Sequence, residues 1–370
     1  MRKRRKTKQI RVGSVAIGGD SPISVQSMTK TYTHDVEATV RQIQELEEAG
    51  CDLVRVAVPE MRDAEAIRAI KSAIHIPLIA DIHFDHRLAI AALEQGAEAI
   101  RLNPGNLKDT ARIQEVIAAA KAHHAPIRIG VNSGSVDAVY SKEGIHRHEA
   151  RQVFIQKMID RALDYIRFFE KNRFTELKIS LKLSNVQDTI AAYRQMAALC
   201  DYPFHLGVTE AGLPRDGTIK SALGIGTLLL EGIGDTIRVS LTGDPVEEVK
   251  VGRRMLQFLE LRDFGPELIA CPSCGRADID LIQLVEKAEK RLGELGKPQS
   301  DFAGIRIALM GCEVNGPGEA RDADIGIAAG KGQGMIFKKG QMVRRVGEGE
   351  MVEALVQELL AMQENERMGV

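Results

Sequence analysis

A (β/α)8 barrel followed by a small α+β unit is the fold this sequence predicts, on three observations. Eight short apolar segments alternate with stretches of helical period before residue 245. Several helical stretches end in Glu48-Ala49-Gly50 or Gln95-Gly96-Ala97, where glycine suits a left-handed cap before the next strand. Around Phe264-Gly265-Pro266 that alternation stops and another pattern begins, so the division expected is residues 1–262 and 263–370.

The eight strand segments are 23–26, 53–58, 77–82, 99–103, 127–132, 177–182, 204–209 and 236–240, with helical stretches such as 36–49 and 186–199 between them. Eight such units in about 250 residues suit a closed α/β TIM barrel. An open doubly wound sheet would more often carry a glycine-rich phosphate fingerprint after its first strand, and here Gly18-Gly19 precedes that strand. In the second unit a helix is expected over 279–292 and a strand over 305–309 leading into Cys312. Further strands at 325–328, 335–337 and 341–345 and a last helix over 350–362 complete it. Gly330-Lys331-Gly332-Gln333-Gly334 reads as a hairpin turn, since no helix follows to make it a phosphate cradle.

Composition narrows the function classes. Hydrophobic residues make up 44% of 370, enough for a large core, and the net charge of −1 gives no overall field favouring nucleic acid. The run Arg2-Lys3-Arg4-Arg5-Lys6 reads as a solvated tail. No apolar run approaches the ~20 residues needed to span a bilayer, and the start lacks the apolar stretch of a signal peptide. A soluble cytoplasmic protein is expected, and five cysteines there favour metal or redox chemistry over disulfides.

A barrel places its active site at the C-terminal ends of its strands. Those ends carry Arg55; Asp81 and His83; Arg101 and Asn103; Arg128 and Asn132; Lys178, Ser180 and Lys182; Glu210; and Arg238 and Ser240. Alternate residues share a face, so these sets point to one side. Four arginines and a lysine in a dry mouth need counter-charge that Asp81 and Glu210 cannot fully supply. An anion with several oxygens, such as a diphosphate, matches arginine forks. Salt-bridged structural charge is the alternative for any single member of the set.

Three cysteines fall in two motifs, Cys271-Pro272-Ser273-Cys274-Gly275-Arg276 and Gly311-Cys312-Glu313-Val314-Asn315-Gly316-Pro317-Gly318-Glu319. Cys271 and Cys274 precede a helix, whose N-terminal partial charge favours thiolates. Three thiolates suit an iron–sulfur cluster or a zinc ion, with the fourth ligand Glu313, Glu319, Asn315 or water. Cys51 and Cys200, each before a strand in apolar surroundings, read as core residues.

These two motifs, with Ile23-Ser24-Val25-Gln26-Ser27-Met28-Thr29, resemble the 4-hydroxy-3-methylbut-2-en-1-yl diphosphate synthases, over nearly the whole chain. The length matches the shorter two-domain bacterial form. The resemblance implies a sulfite/nitrite reductase-like second domain and a [4Fe–4S] cluster on Cys271, Cys274, Cys312 and Glu319. It implies 2-C-methyl-D-erythritol 2,4-cyclodiphosphate as substrate, held by Arg55, Arg101, Asn103, Arg128, Asn132, Lys182, Arg238 and Ser240, with Asp81 and Glu210 near the reacting carbons. A carboxylate on iron is a hard, displaceable ligand, so Glu319 is the corner a substrate oxygen can exchange with. Glu210 is the preferred proton donor to the leaving hydroxyl, with His83 the runner-up. The resemblance further implies electrons from flavodoxin or ferredoxin, and a head-to-tail homodimer in which each cluster caps the other chain's barrel.

Two other readings compete. A zinc-stapled barrel lyase or aldolase would be colourless. An electron-transfer module would have no need of a diphosphate pocket.

Overall fold

The computed structural model describes residues 3–103, 109–132, 148–295, 299–312 and 323–368. They fall into two units, Met1–Arg262 and Asp263–Val370.

In the first unit, chain pairing begins with a hairpin that sequence patterning did not reveal. Strands β1 (Ile10–Val12) and β2 (Val15–Ile17) pair antiparallel around Gly13-Ser14, with Gly13 at a φ of +54°. Their Ile10, Val12 and Ile17 pack on Leu53, Ile79 and Ala99. Leu53 and Ala99 open their barrel strands, so the hairpin closes the N-terminal end of the barrel.

The predicted Val/Ile/Leu-rich segments then form the barrel strands β3 (Ser24–Met28), β4 (Leu53–Ala57), β5 (Leu78–Ile82), β6 (Ala99–Leu102), β7 (Ile127–Asn132), β8 (Leu177–Lys182), β9 (His205–Leu206) and β10 (Thr236–Ile237). All pair in parallel, in the order β8-β7-β6-β5-β4-β3-β10-β9, and an Ile179–Phe204 bridge joins the two ends of that order. The last two strands are shorter than the 204–209 and 236–240 expected. Beyond them the chains keep single hydrogen bonds, Arg238 N to Leu206 O (3.0 Å) and Thr209 N to Leu183 O (3.2 Å).

Helices α1 (Val36–Glu48), α2 (Met61–Lys71), α3 (His86–Glu94), α4 (Thr110–Ala122), α5 (His148–Lys171), α6 (Val186–Ala197), α7 (Pro214–Leu230) and α8 (Pro245–Phe258) alternate with these strands. The start signals are local: Asp35, Asp85, Asp109, Asn185 and Asp244 each accept a backbone N–H of their helix's first turn. The predicted left-handed exits are present at Gly50 (φ +84°) and Gly96 (φ +100°). No helix among the described residues is long and apolar enough to cross a membrane.

One expectation is overturned. The basic N-terminal run is not a solvated tail where it is described. Arg4 pairs with Asp235 at 2.8 Å, and Arg5 donates to Cys200 O and Tyr202 O, both at 2.6 Å. The Arg5 guanidinium also lies 3.9 Å from the centre of the Phe204 ring. These partners are about 200 residues away in sequence, which a local reading cannot see. Cys51 is buried as expected, whereas Cys200 is only half-buried.

The second unit is a five-stranded mixed sheet, β11 (Glu267–Ala270), β12 (Arg306–Met310), β13 (Ile325–Gly330), β14 (Gln333–Lys338) and β15 (Gln341–Gly347), in chain order. The first three strands are parallel and the last three antiparallel. Helices α9 (Leu281–Gly293) and α10 (Met351–Met368) contribute Leu284, Leu292, Leu355 and Leu359 to a core with Ile307, Leu309, Ile325 and Ile327. The glycine-rich segment is a two-residue hairpin turn: Lys331 and Gly332 both have positive φ, 43° and 78°.

Candidate active site

Parallel strands carry their loops to one end, and in the barrel that end is the charged one. The inward-facing residues of β4 to β8 and the segment after β10 meet in a cavity of about 180 Å³. It is lined by Arg55, Asp81, His83, Arg101, Arg128, Ser180, Lys182 and Arg238, with Gly130, Val131 and Thr209. Glycine at 130 leaves room for the neighbour it faces: a Cβ there would lie 3.0 Å from Arg101 Nε and press on that side chain.

Asp81 is the internal counter-ion. Its carboxylate lies 3.4 Å from Arg55 Nε and 3.1 Å from Arg101 Nη1. Burial alone would raise its pKa, but the two guanidiniums outweigh that and hold it down at about 2. Arg101 Nη1 also donates to His83 Nε2 at 3.0 Å. Arginine can only donate, so His83 accepts on Nε2 and is the neutral Nδ1–H tautomer in this arrangement. Burial, partly offset by Asp81, lowers its pKa further from the usual imidazole range.

The cations are in excess. Burial pushes Arg55 down to about 10, and burial with neighbouring arginines lowers Arg128 and Lys182 well below their ordinary values. Deeper in the barrel, Lys178 is pushed down to about 7 by burial and by Arg128. Arg101 Nε, Arg128 Nε and Nη1, Ser180 Oγ and Arg238 Nε are buried with no hydrogen-bond partner among the described protein atoms. Unpaired buried donors are costly. Donors facing one cavity are what an oxyanion with several oxygens would satisfy.

Two polar residues in and around this barrel were not singled out from sequence. His205, on β9, is fully buried, and burial together with Arg128 and Lys182 lowers its pKa well below 6.5. Glu248, on α8, reaches Arg238 Nη2 at 3.3 Å. A strand alternation signal exposes His205, but a glutamate on a helix resembles any solvated helix residue.

The other expected residues are placed as follows. Asn103 is buried just after β6, and Ser240 accepts from Arg238 Nη1 at 2.6 Å. Asn132 ends β7, and its side chain lies outside the described residues. Glu210 lies past β9 with a φ of +54°, exposed and not among the residues lining the cavity.

In the second unit the described cysteines gather at the C-terminal ends of neighbouring parallel strands. Cys271 directly follows β11, and Cys312 lies two residues after β12. Their strands pair in register from Glu267–Arg306 to Ala270–Leu309. The Gly311 N–H points to Cys271 Sγ at 3.4 Å, a donor that favours thiolate. A Cβ at Gly311 would meet Ala277 at 3.2 Å and Leu281 at 3.4 Å, so glycine lets this turn pack closely on the stretch that follows Cys274. Cys274 is exposed, and its pKa is lowered by hydrogen bonding with Arg276. The helix contributes less than expected, because α9 begins at Leu281 and its N-terminus is capped by Asp280.

Among the described residues no three His, Cys, Asp or Glu side chains converge as a metal site. Glu313, Asn315 and Glu319 lie outside the described residues. The donor chemistry nevertheless fits a sulfur-bound metal centre: two thiols at one sheet edge, a third within three residues of the first, and a backbone N–H on sulfur.

The comparisons with known proteins agree with this geometry. Residues 7–253 match the family model described as the GcpE TIM-barrel domain, and residues 267–361 match the GcpE protein C-terminal domain. A 4-hydroxy-3-methylbut-2-en-1-yl diphosphate synthase (flavodoxin) of Lawsonia intracellularis is 53% identical, over 96% of this chain and 96% of its own length. The enzyme of the same description from Caldanaerobacter subterraneus is 52% identical over 98% and 99%, and that of Geobacter sulfurreducens 52% over 96% and 97%. Among solved structures, the Yersinia pestis dihydropteroate synthase aligns at a TM-score of 0.49 and 13% identity, over 68% of this chain and 97% of that one. That likeness carries no argument about the reaction.

Proposed function

This chain belongs to the GcpE family, and from that premise we propose how its residues act. It is an oxidoreductase of isoprenoid precursor biosynthesis. It reductively converts 2-C-methyl-D-erythritol 2,4-cyclodiphosphate into (E)-4-hydroxy-3-methylbut-2-en-1-yl diphosphate and water. Counted on the neutral acids, two electrons and two protons enter, a ring C–O bond breaks and a hydroxyl leaves as water.

The observation that carries the reading is the excess of buried, partly unpaired cations at the barrel mouth. Arg55, Arg101, Arg128, Lys182 and Arg238 hold the diphosphate, with Asn103, Asn132 and Ser240 positioning the polyol. Asp81, kept ionised, fixes Arg55 and Arg101 in place before substrate arrives. Glu210 at the rim gives a proton to the leaving hydroxyl, and His83, with Nδ1–H, is the second candidate.

Cys271, Cys274, Cys312 and Glu319 hold a [4Fe–4S] cluster. When bound, that cluster supplies electrons one at a time and a Lewis-acidic iron. The thiolate edge supports this reading through the Gly311 N–H on Cys271. Flavodoxin, which the relatives' names carry, is the electron donor proposed, with ferredoxin as the alternative small carrier. The protein works in the cytoplasm as a head-to-tail homodimer, each chain's cluster unit serving the other chain's barrel.

The test is anaerobic turnover of the purified cyclodiphosphate with a chemical reductant, read by product formation. A brown protein forming the allylic diphosphate is the expected result. A colourless zinc protein with no turnover would return the zinc-stapled lyase.

A further inference from the structure

We propose that Glu248 is a positioning residue that aims Arg238 at the diphosphate, an inference that rests on the substrate assignment above. Glu248 is on α8, outside the strands that build the cavity, and its carboxylate is 1% exposed. A carboxylate so deeply buried persists only if donors surround it, and here they come from two stretches of chain, 27–30 and 238–241. Ser27 Oγ on β3 donates to Oε2 at 3.2 Å, and Arg238 Nη2 lies 3.3 Å from the same oxygen. The Leu241 N–H donates to Oε1 at 3.0 Å, and Lys30 Nζ is 3.7 Å from it.

The arrangement is a clasp. Lys30 Nζ also donates to Leu241 O at 3.1 Å and to Gly243 O. The segment after β10 is therefore gripped through its N–H by Glu248 and through its carbonyls by Lys30. That segment carries Ser240, which accepts from Arg238 Nη1. The guanidinium is thus held through one terminal nitrogen by Glu248 and through the other by Ser240, leaving the buried Nε–H without a partner among the described residues.

No other described acid near the cavity does this for Arg238. Asp81 is engaged by Arg55 and Arg101. With Glu248 neutral, Arg238 would keep Ser240 alone among its described side-chain partners, and repulsion from Arg55 would favour turning outward. Glu248 itself does not line the cavity, so its effect on substrate passes through Arg238.

Glu248→Gln tests this, because it keeps the shape and an acceptor for Leu241 N–H while removing the charge. Binding of the purified cyclodiphosphate to anaerobic full-length holoenzyme is measured by calorimetry, and turnover alongside. The expected result is a Kd and KM raised about tenfold, with kcat within about twofold and an unchanged pH profile. In an Arg238→Met background the same substitution is expected to change Kd by less than about twofold, since the partner it acts through is gone.

Equal weakening in both backgrounds, or none in either, would overturn the proposal. Should Glu248→Gln fail to fold, Lys30→Met takes its place. A Kd raised about threefold supports the clasp, and an unchanged Kd overturns it. Failure of the unsubstituted protein to bind the cyclodiphosphate would instead overturn the substrate assignment.

Discussion

The barrel mouth and the cysteine edge of the second unit are built on the same rule, yet their described side chains are paired to different degrees. Both place their chemistry at the C-terminal ends of neighbouring parallel strands. At the mouth, Asp81 and Glu248 already pin Arg55, Arg101 and Arg238 within 3.1 to 3.4 Å. At the cysteine edge, Cys274 is exposed, and among the described residues the Gly311 N–H on Cys271 Sγ links the two motifs. Buried cations repel one another and must be held by protein whether or not substrate is present. Thiols need no such restraint, because metal binding itself orders them.

The sharpest break of this contrast is Cys312→Ser. Removing one thiolate is expected to abolish both the visible absorbance of the anaerobic protein and its turnover, while calorimetry still shows the cyclodiphosphate binding. Loss of binding as well would mean that the two regions are not separable. Next in size, Glu319→Ala is expected to leave a cluster that bleaches quickly in air, with turnover well below the parent. An air-stable cluster with full turnover would show that the fourth ligand is another residue.

Breaking the ordered side acts on stability. Asp81→Ala strands Arg55 and Arg101 without their shared carboxylate, an expected loss of about 3–5 kcal/mol in denaturant unfolding. Acid should act more mildly on the same contact. The Asp81 carboxyl is held at about 2 against an ordinary 3.8, so its contribution is complete above pH ~4. About 2 kcal/mol is then lost as pH falls through 2, and Asp81→Ala should lack that share of the acid response. An equal acid response in both proteins would assign it to other carboxylates.

Which parts of this molecule were legible in sequence follows from how local each signal is. Strand alternation put Asp81, Arg101, Arg128 and Lys182 on one side because a side-chain period of two needs only neighbours to be read. The paired cysteine motifs were legible for the same reason. The β1–β2 hairpin was missed because three-residue strands carry too little pattern. The strand before Cys271 was not assigned either, because four residues carry too little pattern. Arg5 was missed because its partners lie 195 or more residues away, and Glu248 because Ser27 lies 221 residues away and nothing local marks Arg238 as its ion-pair partner. A helix glutamate becomes interpretable only once the fold brings Ser27 and Arg238 to it.

The smallest prediction separates two glycines that sequence treats alike. Gly207 follows β9, and a Cβ there would stand 2.7 Å from Arg238 O and 2.9 Å from Lys182 Nζ. The lysine can move, but a backbone carbonyl next to the substrate arginine cannot do so cheaply. Gly207→Ala is therefore expected to destabilise by about 1–3 kcal/mol, and to weaken cyclodiphosphate binding by displacing Lys182. Gly226, in α7, has nothing within 4 Å of the same added carbon. There alanine simply favours the helix, and Gly226→Ala should stabilise by about 0.5–1 kcal/mol with binding unchanged. Thermal unfolding of the two variants side by side reads the sign directly. Stabilisation by both would mean that the mouth is soft enough to yield to a methyl group, and that Arg238 is less firmly held than its contacts imply.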